Sequence, residues 1–149
     1  MVLKRAEEKD VDLLFDWIND PIVREQSFSA EMIPYKDHMK WFEKKKDDPY
    51  CYLYIAYINH IAVGMIRFDI KDKISTISYL VDKLQRGRGI GTSIIQNGLE
   101  AFLNGSLFHG EIHAEVKMSN LASIKIFEKL EFQRELKNEN TIRFKKIIA

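Results

Sequence analysis

Cysteine and long apolar stretches are almost absent from this sequence. Cys51 is the only cysteine in 149 residues, which excludes an internal disulfide and a cluster of thiolate metal ligands. This cysteine use is typical of a reducing compartment, so we expect a cytoplasmic protein. No apolar run approaches the roughly 18 residues that a membrane-spanning helix needs, and the N-terminal MVLKRAEEKD is charged where a signal peptide is apolar. The sequence therefore predicts neither export nor insertion into a membrane.

An excess of charge of either sign is also missing. Lysine and arginine together number 23, and aspartate and glutamate number 22, so no overall basic field favours nucleic acid or an anionic membrane surface. Hydrophobic residues make up 46% and charged residues 30%, which is ordinary for a folded globular protein. At this length we expect one domain that spans residues 1–149. We expect no bound metal ion.

Only three prolines and seven glycines interrupt the chain, so hydrophobic periodicity carries most of the information on helices and strands. The pattern predicts a strand, two helices, three strands joined by short turns, and then helix, strand, helix and strand. The expected bounds are a strand at 2–5, a helix that Pro21 stops, a helix that Pro34 opens, strands within 51–58, 61–70 and 73–81, a helix at 90–103, a strand at 111–116, a helix at 120–130, a short strand near 132–136 and a strand at 140–148. Three consecutive strands with short turns indicate an antiparallel meander, and the whole order indicates an α+β domain.

The stretch LQRGRGIG at 84–91 places three of the seven glycines at alternate positions between a strand and a helix. Such a turn leaves backbone N–H groups at the start of the helix without partners, and the helix dipole favours an anion there. Glycine allows positive φ and a close approach of the backbone, while arginine and threonine side chains add charge or a hydroxyl. The residues with these roles are Arg86, Gly87, Arg88, Gly89, Ile90, Gly91 and Thr92. The pattern favours a pyrophosphate, and a glycine-rich turn without a ligand is the alternative.

Two common phosphate-binding loops do not match this stretch. The P-loop requires a lysine directly after its last glycine, and none follows here. The dinucleotide fingerprint Gly-x-Gly-x-x-Gly fails because Thr92 occupies the position of the third glycine. The expected phosphate site is therefore of another kind.

The stretch resembles the central motif of the GCN5-related N-acetyltransferases (GNAT), Gln/Arg-x-x-Gly-x-Gly/Ala, with Arg86, Gly89 and Gly91 at the motif positions. The opening LKRAEEKDVDLL is similar to the first strand and helix of that family, and SNLASIKIFEKLEF is similar to its downstream helix motif. The resemblance implies a GNAT-like single-domain α+β fold, with a central, mostly antiparallel mixed sheet of six to seven strands and about four flanking helices. It also implies N-acetyltransferase activity with acetyl-CoA as the cofactor.

The resemblance assigns cofactor-binding roles to residues around the glycine stretch. The backbone amides of 86–91 would hold the pyrophosphate of acetyl-CoA. Leu80 and Val81, at the end of the preceding strand, would pair with the pantetheine arm, and Asn120 would lie near that arm.

The proton donor differs from the family pattern. Family members commonly use a tyrosine of the downstream helix to protonate the departing thiolate, but this sequence has Phe127 at that position. Phe127 would then only line the cofactor site. Tyr79 or water would supply the proton, and a thiol with a pKa near ~8.5 needs that help less than an alkoxide would.

Glu115 is the expected general base. Period-two alternation on the predicted strand 111–116 leaves His113 and Glu115 on one face, opposite the apolar residues. A related carboxylate is proposed to act at this place in acetyltransferases of nucleotide-linked amino sugars. The alternative is that both residues lie on a solvated strand face.

A second resemblance concerns the acceptor. WINDPIVR at 17–24 is similar to a Trp-Arg-Asn-Asp-Pro-x-Val-Arg stretch in the sugar-nucleotide branch, such as the N-acetyltransferases of pseudaminic acid biosynthesis, and His38 and WFE at 41–43 extend the likeness. The likeness implies that Trp17, Arg24 and His38 bind the substrate. From the residues alone, Arg24 would bind a diphosphate or form a surface ion pair, and Trp17 would contact substrate or pack in the core.

Three functions remain open from the sequence. The first is acetylation of the amine of a nucleotide-linked amino sugar for a surface glycan. The second is acetylation of a protein N-terminus, a lysine or a small amine, as in the related ribosomal-protein acetyltransferases. The third is a non-catalytic acyl-CoA-binding module. We expect no nucleic acid or membrane partner, and edge strands at the C-terminal end make a homodimer reasonable.

Overall fold

A seven-stranded sheet forms the centre of the computed structural model, which describes residues 1–149. The strands are β1 (Val2–Arg5), β2 (Cys51–Ile58), β3 (Ile61–Lys71), β4 (Ile74–Val81), β5 (Gly110–Lys117), β6 (Gln133–Asn138) and β7 (Thr141–Ile148). The helices are α1 (Val11–Ile18), α2 (Pro21–Gln26), α3 (Tyr35–Lys46), α4 (Ile90–Ser106) and α5 (Leu121–Lys129), and a 3-10 turn (Glu8–Asp10) precedes α1. The strand order is β1-β2-β3-β4-β5-β7-β6, and all neighbours are antiparallel except β4 and β5. The predicted α+β class and mostly antiparallel mixed sheet are confirmed.

Pro21 begins a helix as well as marking the end of one. The carboxylate of Asp20 caps α2 by accepting hydrogen bonds from the backbone N–H groups of Ile22 and Val23. Pro21 occupies the first position of α2, where its missing N–H costs nothing. The protein therefore has five helices, where about four were expected, and the additional short helix lies where the sequence predicted only a stop.

Helices cover the two faces of the sheet unequally. α4 and α5 lie on one face, over a core in which Phe102, Phe127 and Phe144 are almost completely buried. α1 and α3 lie on the other face, where Leu14 and Phe42 pack on side chains from β2, β3 and β4. No residue of β5, β6 or β7 belongs to this second core. The second core therefore ends at β4, and the polar side chains that β5 carries on that face remain partly exposed.

β4 and β5 pair over a short distance only. Their parallel ladder joins residues 74–76 to residues 111–113. Beyond it, β4 continues to Val81 bonded to β3 alone, and β5 continues to Lys117 bonded to β7 alone. The C-terminal ends of the two strands therefore leave an opening in the sheet, and α4 begins beside it.

The side chains that could bind a metal ion do not cluster in this fold. Cys51 is buried, and burial raises the pKa of its thiol to about 12. No three side chains among the histidines, cysteines, aspartates and glutamates come together in a group that could hold a metal ion. None of the helices has both the length and the apolar character needed to cross a bilayer.

Candidate active site

A cavity of about 660 Å³ occupies the opening between β4 and β5. Its walls are the C-terminal halves of these strands, the glycine stretch with the start of α4, the first turns of α5, and α2 with the residues that follow it. Most of the residues predicted for the cofactor site line it, together with Tyr79 and Glu115. They are Leu80, Val81, Arg86, Gly87, Gly89, Ile90, Gly91, Thr92, Asn120 and Phe127. Arg88 is exposed beside the cavity and does not line it.

The glycine stretch has the properties of an anion site. Gly87 and Gly89 have φ angles of +81° and +73°, and a Cβ built on either residue meets no atom within 4 Å. The backbone N–H groups of residues 86–89 donate no hydrogen bond to the rest of the backbone, and the first N–H groups of α4 have no intrahelical acceptor. Gly91 serves packing instead, because a Cβ there would lie 3.0 Å from Ile126 Cδ1. The loop therefore presents a row of free donors with open space in front of them, which fits the pyrophosphate of acetyl-CoA.

The edge of β4 fits an extended ligand arm. Since pairing with β5 stops at Thr76, the backbone groups of residues 77–81 that point away from β3 have no strand partner. Leu80 and Val81 lie in this free segment and line the cavity. Asn120 caps α5 by accepting a hydrogen bond from the backbone N–H of Ser123 at 3.2 Å, so it stands at the cavity with its side chain held in place. These residues suit the pantetheine arm that the sequence predicted for them.

A tyrosine and a phenylalanine share the inner end of the cavity. Phe127 is 1% exposed and packs between Tyr79 and the rings of Phe132 and Phe144. The hydroxyl of Tyr79 forms a hydrogen bond with the hydroxyl of Ser123 on α5. Burial raises the pKa of Tyr79, although this hydrogen bond opposes the change. Tyr79 therefore keeps its proton at neutral pH and is the only phenol among the residues that line the cavity.

Glu115 lies at the cavity, but its ion pairs make it a weak base. Its two carboxylate oxygens accept hydrogen bonds from Lys137 at 2.6 Å and from Arg143 at 3.1 Å. Partial burial alone would raise the pKa of Glu115, but the hydrogen bonds and charges of these two cations outweigh burial and lower it. A general base at neutral pH needs a pKa near 7. The geometry therefore does not favour the role of base that we expected for Glu115.

Trp17 and His38 lie in the core instead of the acceptor site. Trp17 is 6% exposed, and its indole N–H donates to the carboxylate of Asp82 at 2.8 Å. His38 is 1% exposed, its Nε2 lies 2.9 Å from the carbonyl oxygen of Val11, and its ring stacks on that of Trp41. Neither side chain lines the cavity, so the geometry does not favour the substrate-binding role that we predicted for Trp17 and His38.

Arg24 is likewise occupied within the protein. Its Nε donates to the carbonyl of Ile18 at 2.6 Å, and its Nη1 donates to the carbonyls of Ser29 and Glu31. Its Nη2 donates to the hydroxyl of Ser27 at 3.1 Å. All three guanidinium nitrogens therefore have partners within the protein, and the geometry does not favour the diphosphate contact that we predicted for Arg24.

The acceptor side of the cavity is built by residues that the sequence did not indicate. They are Ile22, Val23, Gln26, Ser27 and Phe28. The signal that could have located them is the pair Asp20-Pro21, which is a helix cap followed by a favourable first position. A second helix directly after α1 brings this segment to the cavity, where Lys117 of β5 donates to the carbonyl of Glu25.

Known structures share this fold. The spermidine N-acetyltransferase of Vibrio cholerae, solved in complex with CoA and spermine, superposes with a TM-score of 0.87 at 14% identity, over 99% of this chain and 95% of that one. A domain from Methanocaldococcus jannaschii DSM 2661 gives a TM-score of 0.83 at 21% identity, over 99% and 97% of the two chains. The ribosomal-protein-alanine N-acetyltransferase of Brucella melitensis gives 0.80 at 18% identity, over 99% and 100%. At these identities the likeness shows the fold.

The family assignment comes from the sequence model of the family. A comparison with curated protein sequences gave no match. The model of the acetyltransferase (GNAT) family matches residues 12–132, which include the glycine stretch, both strands that open the cavity and α5. The chain therefore belongs to the acetyltransferase (GNAT) family and is an N-acetyltransferase that uses acetyl-CoA.

Proposed function

We propose that the acceptor is the amine of a nucleotide-linked amino sugar. The observation that carries this proposal is the lack of an unpaired acid on the acceptor side of the cavity. Glu115 is the only carboxylate that lines the cavity, and Lys137 and Arg143 neutralise it. Acceptors with several positive charges gain little from such a wall, because no negative field is left to attract them. Polyamines are therefore poor candidates, although the relative from Vibrio cholerae was solved with spermine.

The protonation of the acceptor amine supports the same class. A reacting amine must lose its proton, and the cavity holds no side chain with a pKa suited to remove it. An aliphatic amine such as a lysine side chain has a pKa near ~10.4 and is almost completely protonated at neutral pH. The amine of an amino sugar is less basic because the ring oxygen and the hydroxyl groups withdraw electrons. A site without a strong base therefore suits such an amine.

Two features of the acceptor side suit a nucleotide. Phe28 lines the cavity although it is 61% exposed, so its ring is free to stack on a base. Lys117 is half-buried at the end of β5, and its ammonium donates to the backbone carbonyl of Glu25 at 2.9 Å instead of to a carboxylate. Lys117 does not line the cavity itself, but its ammonium forms no ion pair and lies beside the cavity between β5 and α2, where it would suit a diphosphate.

A peptide N-terminus is the second candidate. Its α-amine has a pKa of ~7.7–8.0, so it also needs little help from a base. The apolar side chains of Ile22 and Val23 on the acceptor side would accommodate its first residues. A lysine acceptor does not share this advantage.

One assay separates these acceptors. Purified protein and acetyl-CoA would be mixed with UDP-amino sugars, peptides with free N-termini, lysine peptides and polyamines, and release of the CoA thiol would be measured. We expect turnover with a UDP-amino sugar and little with polyamines. Turnover with free N-termini alone would reassign the acceptor to protein, and turnover with spermidine alone would contradict the charge argument.

The other residues of the cavity would bind acetyl-CoA and supply a proton. Acetyl-CoA supplies a thioester whose acyl carbon is open to attack by an uncharged amine. The donors of the glycine stretch hold its phosphates, and the edge of β4 orients its arm. We propose that Tyr79 donates its phenolic proton to the departing thiolate at the end of transfer, and that the Ser123 hydroxyl, which is hydrogen-bonded to it, keeps the phenol aimed. The acceptor nitrogen loses one proton to solvent as the amide forms, and a proton from solvent restores the phenol, so the step balances.

Replacing Tyr79 by Phe is expected to lower kcat by about tenfold to a hundredfold, at the low end of the range for a general acid because a thiolate leaves readily. The affinity for CoA, measured by calorimetry, is expected to change by less than about threefold, since the change removes only the hydroxyl. Tyr50→Phe is the matched control, because Tyr50 is exposed and does not line the cavity. If Tyr79→Phe turned over at the rate of the control, water would be the proton donor.

Replacing Glu115 by Gln is expected to lower kcat/KM by less than about tenfold, whereas removal of a general base costs ~10²–10⁴-fold. The pKa of Glu115 lies below its usual value of 4.5, so the group remains ionised and does not titrate between pH 6 and pH 9. The pH profile of kcat/KM should thus keep its shape. Glu111→Gln, on the same face of β5 but outside the cavity, is the control. A thousandfold loss of kcat/KM, together with a flattened pH profile, would show that Glu115 is the base.

A further inference from the structure

Residues 21–33, which we call the acceptor wall, are joined to one another and to the end of α1 by side-chain hydrogen bonds. The guanidinium of Arg24 makes three hydrogen bonds to residues 27–31 and a fourth to the carbonyl of Ile18. The side-chain amide of Asn19 closes the far end, since its Nδ2 donates to the carbonyl of Ile33 at 2.9 Å and its Oδ1 accepts from the Ile33 N–H at 2.7 Å. The segment and the end of α1 therefore form one hydrogen-bonded unit, whose contacts with the rest of the protein include a bond from Lys117 of β5 to the carbonyl of Glu25.

One of those contacts reaches the cofactor loop. Arg86, in the glycine stretch, donates through Nη2 to the Oδ1 oxygen of Asp20 at 3.1 Å. The same oxygen accepts the backbone N–H groups of Ile22 and Val23 at 3.0 and 3.4 Å. A single carboxylate oxygen therefore caps the helix of the acceptor wall and binds the loop that holds the cofactor. The Asp20 side chain is only 13% exposed, so the pair is shielded from solvent on one side.

A second contact joins the same two regions. The indole N–H of Trp17, at the end of α1, donates to Asp82 at 2.8 Å, and the other oxygen of Asp82 accepts the backbone N–H of Leu84 at the start of the loop. The loop is thus attached to the α1–α2 corner at two points, one at Asp82 and one at Arg86. The charged residues that face Asp20 in these contacts are limited to Arg86, and Asp82 is held by neutral donors.

We infer that Asp20 is a positioning residue that couples cofactor binding to the acceptor wall. When the donors of the glycine stretch bind phosphate, the loop becomes ordered, and the Arg86 side chain that leaves this loop is ordered with it. Asp20 transmits that ordering to α2, and the internal bonds of Arg24 carry it through residues 27–33. By linkage, acetyl-CoA raises the affinity for the acceptor, and the acceptor raises the affinity for acetyl-CoA by the same factor.

Hydrogen exchange measures this coupling without any acceptor, so its outcome does not depend on which amine is acetylated. Free CoA is the probe, and the readout is the ratio of amide exchange rates in residues 21–33 without and with saturating CoA. In the native protein CoA should slow exchange there by about fivefold or more, the lower limit of typical coupling. In Asp20→Asn, which keeps a good helix cap but loses the charge pair with Arg86, the ratio should fall below about twofold. The dissociation constant of CoA should change by less than about threefold.

A merely structural role gives a different result. Loss of a cap alone would speed exchange in the acceptor wall equally with and without CoA, and the ratio would be unchanged. Asp16→Asn, at an exposed carboxylate of α1 with no ion pair, is the matched control and should retain the native ratio. Arg86→Gln leaves the Asp20 cap intact, and the ratio of exchange rates in this variant should also fall below about twofold. The test can therefore be made even if Asp20→Asn is unstable. The inference is overturned if CoA leaves exchange in residues 21–33 unchanged in the native protein, or if either variant keeps the native ratio.

Discussion

Replacing Gly89 by Trp should weaken acetyl-CoA binding by a factor of about 100 or more, which corresponds to ~2.7 kcal/mol. Gly89 has a φ of +73° and open space in front of its Cα, in the middle of the unpaired N–H donors. An indole at this position would fill the space that the phosphates need. The left-handed backbone would also be strained by any Cβ, at a cost of ~1–2 kcal/mol. Calorimetric titration with acetyl-CoA measures the combined effect.

Two control variants separate the effect of filling the phosphate space from the effect of backbone strain at residue 89. Gly89→Ala carries the same backbone strain but leaves the space open, so its loss of affinity should be several-fold smaller than that of Gly89→Trp. Gly105→Trp adds an indole near the other end of α4, where the nearest contact of a Cβ is Tyr54 at 3.8 Å, and should leave affinity unchanged. Native affinity in Gly89→Trp would mean that the glycine stretch does not bind the cofactor.

Replacing Phe102 by Ala should lower the free energy of unfolding by ~3–5 kcal/mol. The Phe102 side chain belongs to α4 and is completely buried. Its ring stacks on that of Phe68, with ring centroids 4.2 Å apart and the planes 4° from parallel. Tyr52 and Phe108 contact it from two further sides. Removal of the ring leaves a cavity among side chains that are themselves locked by packing, so the core collapses only partly. Urea unfolding, followed by circular dichroism, measures the change.

Phe28→Ala is the matched control for that experiment. It removes the same ring from a position that is 61% exposed, and surface changes of this kind usually stay within ~0.5 kcal/mol. A loss of several kcal/mol in Phe28→Ala, or a loss below 1 kcal/mol in Phe102→Ala, would contradict the description of the core. Because Phe28 lines the acceptor side, its variant should instead raise KM for the acceptor.

The residues predicted for the cofactor line the cavity almost completely, whereas none of the three predicted for the substrate does. The cofactor loop is continuous in sequence, and its function rests on backbone conformation, which glycine spacing reveals directly. Gly89 and Asn120 therefore lie at the cavity as expected. The strands that open beside them are also visible as periodic runs, so most of the sheet was predictable within a few residues.

The acceptor half depends on contacts that sequence spacing does not encode. Whether Arg24 faces a ligand or its own carbonyl groups depends on the path of the chain after α2. Whether Glu115 is a base depends on cations contributed by β6 and β7, more than 20 residues downstream. Likeness to a motif identified residues that matter for the fold at 17–24, but it did not reveal that their partners are within the protein.

The short parallel ladder between β4 and β5 gives the bound cofactor a second role as part of the architecture. The hydrogen bonding between β4 and β5 ends at Thr76, and we propose that the pantetheine arm takes the place of the missing neighbour along the edge of β4. A cofactor bound there would close the opening in the sheet and, because it binds the folded state, would raise the free energy of unfolding. Release of CoA after each transfer would open the sheet again until the next cofactor binds.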